Sequence, residues 1–351
     1  MPKTTRSRST PSRKKQHIDI TLTKDVRFQT KTTGLEDLSF VHNALPEINL
    51  SDVDTSVTFL SRKLAMPFMV SCMTGGYAGA LNINKQLAEV CEEMGIAMGV
   101  GSQRQALEDA QYHRTFSVVR EAAPSVPVVG NIGAAEVARM SNADAAKRLV
   151  DLIRADAFTV HLNPLQEFLQ PEGNTNFRGV LAGIARLVSG LPVPVIVKEI
   201  GAGISADAAR RLINAGVRYI DIAGAGGTSW AGVEALRRKD RAFASRFWDW
   251  GIPTAVALRE GSQLKLHHQN LTLIASGGIT TGTEAAKCIA LGADMVASAR
   301  PLLRALHDGG TKGLRELLTA WGKELRGIMF LTGSATIRSL QLVPLAKYGT
   351  T

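Results

Sequence analysis

Residues 157–167 read Ala-Phe-Thr-Val-His-Leu-Asn-Pro-Leu-Gln-Glu. A short apolar run is followed at once by His161, Asn163, Gln166 and Glu167. A buried strand that ends in polar groups is the pattern of a parallel strand whose C-terminal end carries chemistry. The same pattern recurs at Pro67–Ser71, Ala97–Gly101, Pro127–Asn131, Val193–Lys198, Tyr219–Ile222, Leu271–Ser276 and Met295–Ser298, with the first run, Ala157–His161, making eight. Amphipathic segments come after most of them, at Asn84–Met94, Ala143–Ile153, Gly179–Leu187, Ala206–Asn214 and Thr283–Ala290. Eight such repeats predict an α/β fold closed into a (β/α)8 TIM barrel of one domain. The alternative, a doubly wound open sheet, normally shows one Gly-rich turn after its first strand and fewer strands. Residues 214–217 and 290–294 each read as a helix-ending glycine followed by a new strand, which agrees with the barrel. Residues 230–265 read as an insertion between strands six and seven, with a charged surface at Arg237–Arg241 and an aromatic anchor at Phe247–Trp250.

The chain has 351 residues, 45% hydrophobic and 21% charged, which is enough for a large core. Its formal charge is +10, yet Lys3, Arg6, Arg8, Arg13, Lys14 and Lys15 fall in the first fifteen residues with no acid among them. The body is therefore only mildly basic. No interleaved basic and aromatic motif supports nucleic-acid binding, whereas an anionic small substrate suits this balance. No apolar run reaches the roughly 18 residues of a membrane span, and no apolar segment comes after the basic start as in a signal peptide. Three cysteines, Cys72, Cys91 and Cys288, are too few for a disulfide framework. A reduced, cytoplasmic protein is expected. Residues 1–12 are predicted to be a disordered basic tail, and residues 13–351 the barrel domain.

The residues directly after each strand are almost uniformly polar, charged or glycine. Strand one leads to Ser71-Cys72-Met73-Thr74 and strand two to Ser102-Gln103-Arg104; strand three ends in Asn131 and strand five in Lys198-Glu199. Strand six leads to Gly226-Gly227-Thr228, strand seven to Gly277-Gly278-Ile279 and strand eight to Ala299-Arg300. The last two positions are where barrels commonly bind a phosphate through backbone N–H groups and a helix N-terminus, as in a phosphosugar or flavin mononucleotide (FMN). Lys198 suits either a Schiff base or a positive charge beside a flavin, with a snorkelling surface lysine as the bland alternative. Glu167 is the metal-ligand candidate, alternatively a carboxylate at a helix N-terminus. His161 reads as an acid/base group or a hydrogen-bonded core histidine. Cys72 reads as a small buried hydrophobe or a site-lining thiol. Arg104, Arg13 and Lys14 are candidates to clamp an anion, with a solvated charge run the alternative for Arg13 and Lys14.

Seven stretches together resemble the type 2, FMN-dependent isopentenyl diphosphate isomerase family. They are Arg13-Lys14-Lys15-Gln16-His17-Ile18, Met73–Gly76, Gly99–Arg104, His161–Glu167, Val197-Lys198-Glu199, Gly226–Trp230 and Ser276–Ile279, in the family's order over residues 13–305. The resemblance implies a TIM barrel assembled as a homo-tetramer or homo-octamer. It implies FMN held by Ser71, Cys72, Met73, Thr74, Ser102, Asn131, Lys198, Thr228, Gly277, Gly278, Ile279, Ala299 and Arg300. Arg13, Lys14, Ser102, Gln103, Arg104, His161, Asn163 and Gln166 would contact the substrate or its diphosphate, and Glu167 would bind Mg²⁺. The implied reaction converts isopentenyl diphosphate to dimethylallyl diphosphate with reduced FMN as acid/base and NADPH needed only to reduce it. His161, Gln166 and Lys198 would then be the catalytic side chains. Residues 223–225 depart from the family's frequent Ser-Gly pair. Two rivals are a flavin oxidoreductase on the same barrel, such as a 2-hydroxy-acid oxidase, and a nucleic-acid-binding protein using its basic tail.

Overall fold

In the computed structural model, which describes residues 9–347, eight parallel strands close into a barrel in sequence order. They are β1 (Phe68–Val70), β2 (Ala97–Gly99), β3 (Val128–Gly133), β4 (Ala157–His161), β5 (Val195–Lys198), β6 (Tyr219–Asp221), β7 (Thr272–Ala275) and β8 (Met295–Ser298). Every expected strand is present, and those covered on both faces are buried almost end to end. Helices Ala80–Met94, Asp144–Ile153, Val180–Gly190, Ala206–Asn214 and Gly282–Ala290 match the expected ones within a few residues. The glycines expected to end helices do so: Gly216 and Gly292 adopt φ +89° and +103°, a region an L side chain rarely enters.

Four further helices shape the site: α1 (Ser9–Thr23), α2 (Pro164–Leu169), α3 (Trp230–Arg237) and α4 (Arg300–Leu331), the last broken at Gly310. Two expectations need correction. Helix α1 begins at Ser9, inside the segment expected to be a disordered tail; the rest of that segment, residues 1–8, lies outside the described residues. The insertion after β6 is also shorter than 230–265, because Thr254–Leu264 is the regular barrel helix packed between Ala206–Asn214 and β7. The true excursion is α3, the short helix Arg241–Ser245 and the aromatic segment after it. That segment is an anchor as expected. Trp248 Nε1 donates to the Arg27 carbonyl (2.7 Å), and Asp249 accepts from the backbone N–H groups of Gln29 and Thr30 (2.7 and 2.8 Å).

A hairpin of Val57–Phe59 and Arg62–Leu64 lies against the N-terminal ends of the barrel strands. Its buried Phe59 meets Tyr219 edge-on, and Arg62 pairs with Asp156 at 2.7 Å. Residues Gly133, His161, Lys198 and Asp221 pair in register across β3, β4, β5 and β6. The fold thus sets four strand ends at one height around the opposite mouth.

Candidate active site

A cavity of about 390 Å³ opens at the C-terminal ends of the strands, within the roughly 300–1,000 Å³ usual for small-molecule sites. Every expected site residue lines it except Gln103. Gln103 is fully buried behind the wall, where Nε2 donates to the Leu149 carbonyl (3.0 Å) and Oε1 accepts from the Asn131 N–H (3.0 Å). The expected substrate contact is corrected to a brace between β3 and the helix behind it. The chain turns at Ser102, which presents one residue to the cavity and the next away from it.

His161 Nδ1 lies 2.9 Å from Asn131 Oδ1. Burial, reinforced by the charges of Lys198 and Lys14, lowers its pKa to about 3. The imidazole is therefore neutral at physiological pH, a hydrogen-bonding group rather than a reservoir of a labile proton. Lys198, next to it in register, lines the cavity but is almost fully buried. It is 6% exposed, its Nζ donates to the Glu199 carbonyl, and Asp221 Oδ2 lies 3.6 Å away.

Asn163, Gln166 and Glu167 share the turn into α2, where Pro164 stands at the start of the helix, a position that tolerates it. Asn163 Nδ2 donates to both Gln166 Oε1 and Glu167 Oε1 at 3.0 Å. Glu167 Oε2 accepts from the Asn174 N–H at 2.5 Å. Gln166 Nε2 donates to Glu234 Oε1 (3.3 Å), an oxygen that also meets His17 Nε2 at 2.9 Å. Glu234 is fully buried on α3. Burial alone would raise its carboxyl, but the bonds to His17 and Arg237 bring it below the usual carboxylate range.

Helix α1 lies along the cavity rim and carries Arg13, Lys14 and His17. Lys14 Nζ donates to the Gly75 and Ser102 carbonyls, both at 2.7 Å, and sits 5.5 Å from the Phe116 ring centre. Burial, then the nearby Arg13 and Arg104, lower its pKa to about 7. Arg104 is held by Glu108 (2.9 Å) and Glu136 (3.4 Å). Arg300, expected at a phosphate, clasps the end of α1: its Nε and Nη2 donate to the Thr21 and Lys24 carbonyls (2.8 and 3.1 Å).

Sequence reasoning assigns no role to His17, Glu234 or Asp221. His17 stands in one of the seven motif stretches, and Asp221 is a carboxylate inside an apolar strand run, so both carry a readable signal. Glu234 carries none, since an acid on a helix reads as surface until the helix is known to be buried.

On the opposite wall, Gly277 and Gly278 adopt φ +98° and +77°. A Cβ on Gly277 would lie 2.0 Å from the Gly224 carbonyl oxygen, so only glycine lets these two loops meet. Beside them α4 starts at the cavity with no side-chain cap from Ala299, leaving its first N–H groups for a ligand. Thr74 Oγ1 is buried and has no hydrogen-bond partner among the described residues. Uncapped amides, an unspent hydroxyl and a lysine at the wall fit FMN. Among the described residues no group of three or more His, Cys, Asp or Glu side chains could enclose a metal. The lone carboxylate of Glu167 instead suits Mg²⁺ shared with substrate phosphates and water.

The FMN-dependent dehydrogenase family, a class of flavin-dependent enzymes, matches residues 6–121 and 161–345. A solved lactate oxidase of Pediococcus acidilactici shares the fold at a TM-score of 0.68 and 16% identity, over 99% of this chain and 96% of that one. An isopentenyl-diphosphate delta-isomerase of Pelodictyon phaeoclathratiforme is 50% identical, covering 97% of this chain and 98% of its own length. The Methanothermobacter thermautotrophicus enzyme of the same name is 43% identical over 97% and 94%. The chain belongs to the type 2 isopentenyl-diphosphate delta-isomerase family.

Proposed function

We propose that this protein interconverts isopentenyl diphosphate and dimethylallyl diphosphate, with FMN and Mg²⁺ bound and NADPH serving only to reduce the flavin. The observation that carries this reading is the lining of the cavity. It gathers the cations Arg13, Lys14 and Arg104 near Glu167, with His161 and Lys198 at the strand ends; among the described residues, the acids that line it are Glu136, paired with Arg104, and Glu167, bonded to Asn163 and Asn174. The reaction adds a proton at the terminal alkene carbon and removes one from C2. An unactivated alkene needs a strong acid in a site that excludes water, and a neutral imidazole held near pKa 3 cannot be that acid. Bound reduced FMN would supply the acid/base chemistry. The residues expected to hold it are Ser71, Cys72, Met73, Thr74, Ser102, Asn131, Lys198, Thr228, Gly277, Gly278, Ile279, Ala299 and Arg300.

The protein's own groups position the reactants. Arg13, Lys14 and Arg104 neutralise the diphosphate, and Glu167 would hold Mg²⁺ against it. Asn163 fixes Gln166 and Glu167 together. His161, restrained by Asn131, and Gln166, restrained by Asn163 and Glu234, orient the isoprenoid end as hydrogen-bonding groups. Helix α1 lines the rim of the cavity through Arg13, Lys14, His17, Ile18 and Thr21. A homo-tetramer or homo-octamer belongs to the same reading, and a light-scattering mass of a single 37.6 kDa chain would overturn that part.

The deciding experiment incubates the purified protein with isopentenyl diphosphate, FMN, Mg²⁺ and NADPH and monitors product and NADPH together. Product in large excess over NADPH consumed is expected. One NADPH oxidised per turnover would instead make the protein a flavin oxidoreductase.

A further inference from the structure

Asp221 takes no part in the proposed reaction, yet it carries the nearest counter-charge to Lys198. It stands at the end of β6, paired in register with Lys198 on β5 and Ile274 on β7, 3% exposed and behind the cavity wall. Its two oxygens have different partners. Oδ2 lies 3.6 Å from Lys198 Nζ, while Oδ1 accepts from Ser276 Oγ and from the Ala223 N–H at 3.2 Å. Ala223 has φ +40°, which non-glycine residues seldom adopt. One carboxylate therefore joins the ammonium, the strained turn after β6 and the end of β7, and all three line the cavity.

A buried ammonium needs a counter-charge. The other titratable groups around Lys198 do not supply one. His161 beside it is neutral, and burial pushes the Cys72 thiol up to about 11, so it stays uncharged. Glu199 turns Oε2 onto the N–H groups of Ile200, Gly201 and Ala202 (2.6, 2.8 and 2.5 Å), and its carboxyl, raised by burial, feels the Lys198 charge from beyond ion-pair distance, while Lys198 Nζ donates to its backbone carbonyl. Among the described residues, Asp221 is the carboxylate within ion-pair distance of Lys198.

We propose that Asp221, oriented by Ser276, is a positioning residue that holds the Lys198 ammonium in place at the cavity wall, and through it sets the redox poise of the bound flavin. The proposal rests on the FMN reading of the site. A cation beside a flavin favours its anionic reduced form. Full-length Asp221→Asn loaded with FMN is therefore expected to keep its flavin but show a more negative midpoint potential than the wild type. Ser276→Ala should move the potential the same way by less. In a Lys198→Arg background the rigid guanidinium fork has further donors to place it, so adding Asp221→Asn should shift the potential little. An unmoved potential in Asp221→Asn, or an equal shift in the Lys198→Arg background, overturns the proposal. If Asp221→Asn does not accumulate as folded protein, Ser276→Ala decides by the same measurement. Failure of the wild type to retain FMN, read by absorbance before any variant is made, overturns the cofactor reading and the proposal with it.

Discussion

Lys14 makes the sharpest prediction at the scale of single residues. With its pKa near 7, the ammonium is charged below neutrality and loses its charge as pH rises through that value. An anionic substrate prefers the charged form, so the apparent KM for the diphosphate should rise between pH 6 and 8 with a one-proton dependence. Lys14→Arg should flatten that rise, because a guanidinium does not titrate there. A wild-type KM independent of pH would refute the role. Glu167 predicts a metal dependence instead. Glu167→Gln should retain flavin but require more Mg²⁺ for half-maximal activity, by at least the roughly 10–100-fold that losing even a supporting partner costs. Titrating activity against Mg²⁺ checks it. The sequence made most of these side chains legible because polar residues directly after a buried strand must lie at the barrel mouth. It did not show direction. Ser102 and Gln103 are adjacent, and only the fold reveals that one faces the cavity and the other braces Leu149.

At the scale of elements, the strands were readable and α1 was not, for one physical reason. Strands buried on both faces must be continuously apolar, so the pattern is local. Helix α1 has little apolar periodicity. Contacts to residues far along the chain hold it: Lys14 to Ser102, His17 to Glu234 and Arg300 to Thr21. A helix held by tertiary contacts has no strong signature of its own. The same contacts make its closure testable. Arg300→Ala removes both bonds at the C-terminal end of α1, and limited proteolysis should then cut within residues 9–23 faster than in the wild type. Truncation through Lys14 should raise the KM for the diphosphate more than it alters far-UV circular dichroism. Equal proteolysis rates in Arg300→Ala would show that α1 does not depend on this clasp.

The whole molecule separates a face that works from a face that holds. All the site chemistry gathers at the C-terminal ends of the strands, while the opposite end is closed by the Val57–Leu64 hairpin and an ion-pair cluster. There Arg120, 5% exposed, donates to the Ala123 and Val126 carbonyls (2.9 and 3.0 Å) and pairs with Asp156, which also accepts from the Val128 N–H (2.8 Å). Asp156 reaches Arg62 as well, so one carboxylate links the hairpin to the starts of β3 and β4. Breaking a buried pair outright costs about 3–5 kcal/mol; here Asp156 keeps Arg62 and the Val128 N–H, so losing Arg120 should cost less than that. Arg120→Met should lower Tm and the denaturant midpoint accordingly. The cavity proposed to hold the flavin lies at the far end of the strands, so sites this distant should behave independently. FMN titrated into folded Arg120→Met should bind within about twofold of the wild-type Kd, since additivity between distant sites holds to about 0.3–0.5 kcal/mol. Saturating FMN should also restore part of the lost Tm by mass action, about 2.7 kcal/mol at a hundredfold excess over Kd. A large loss of FMN affinity in this variant would mean that the two faces are coupled through the barrel wall.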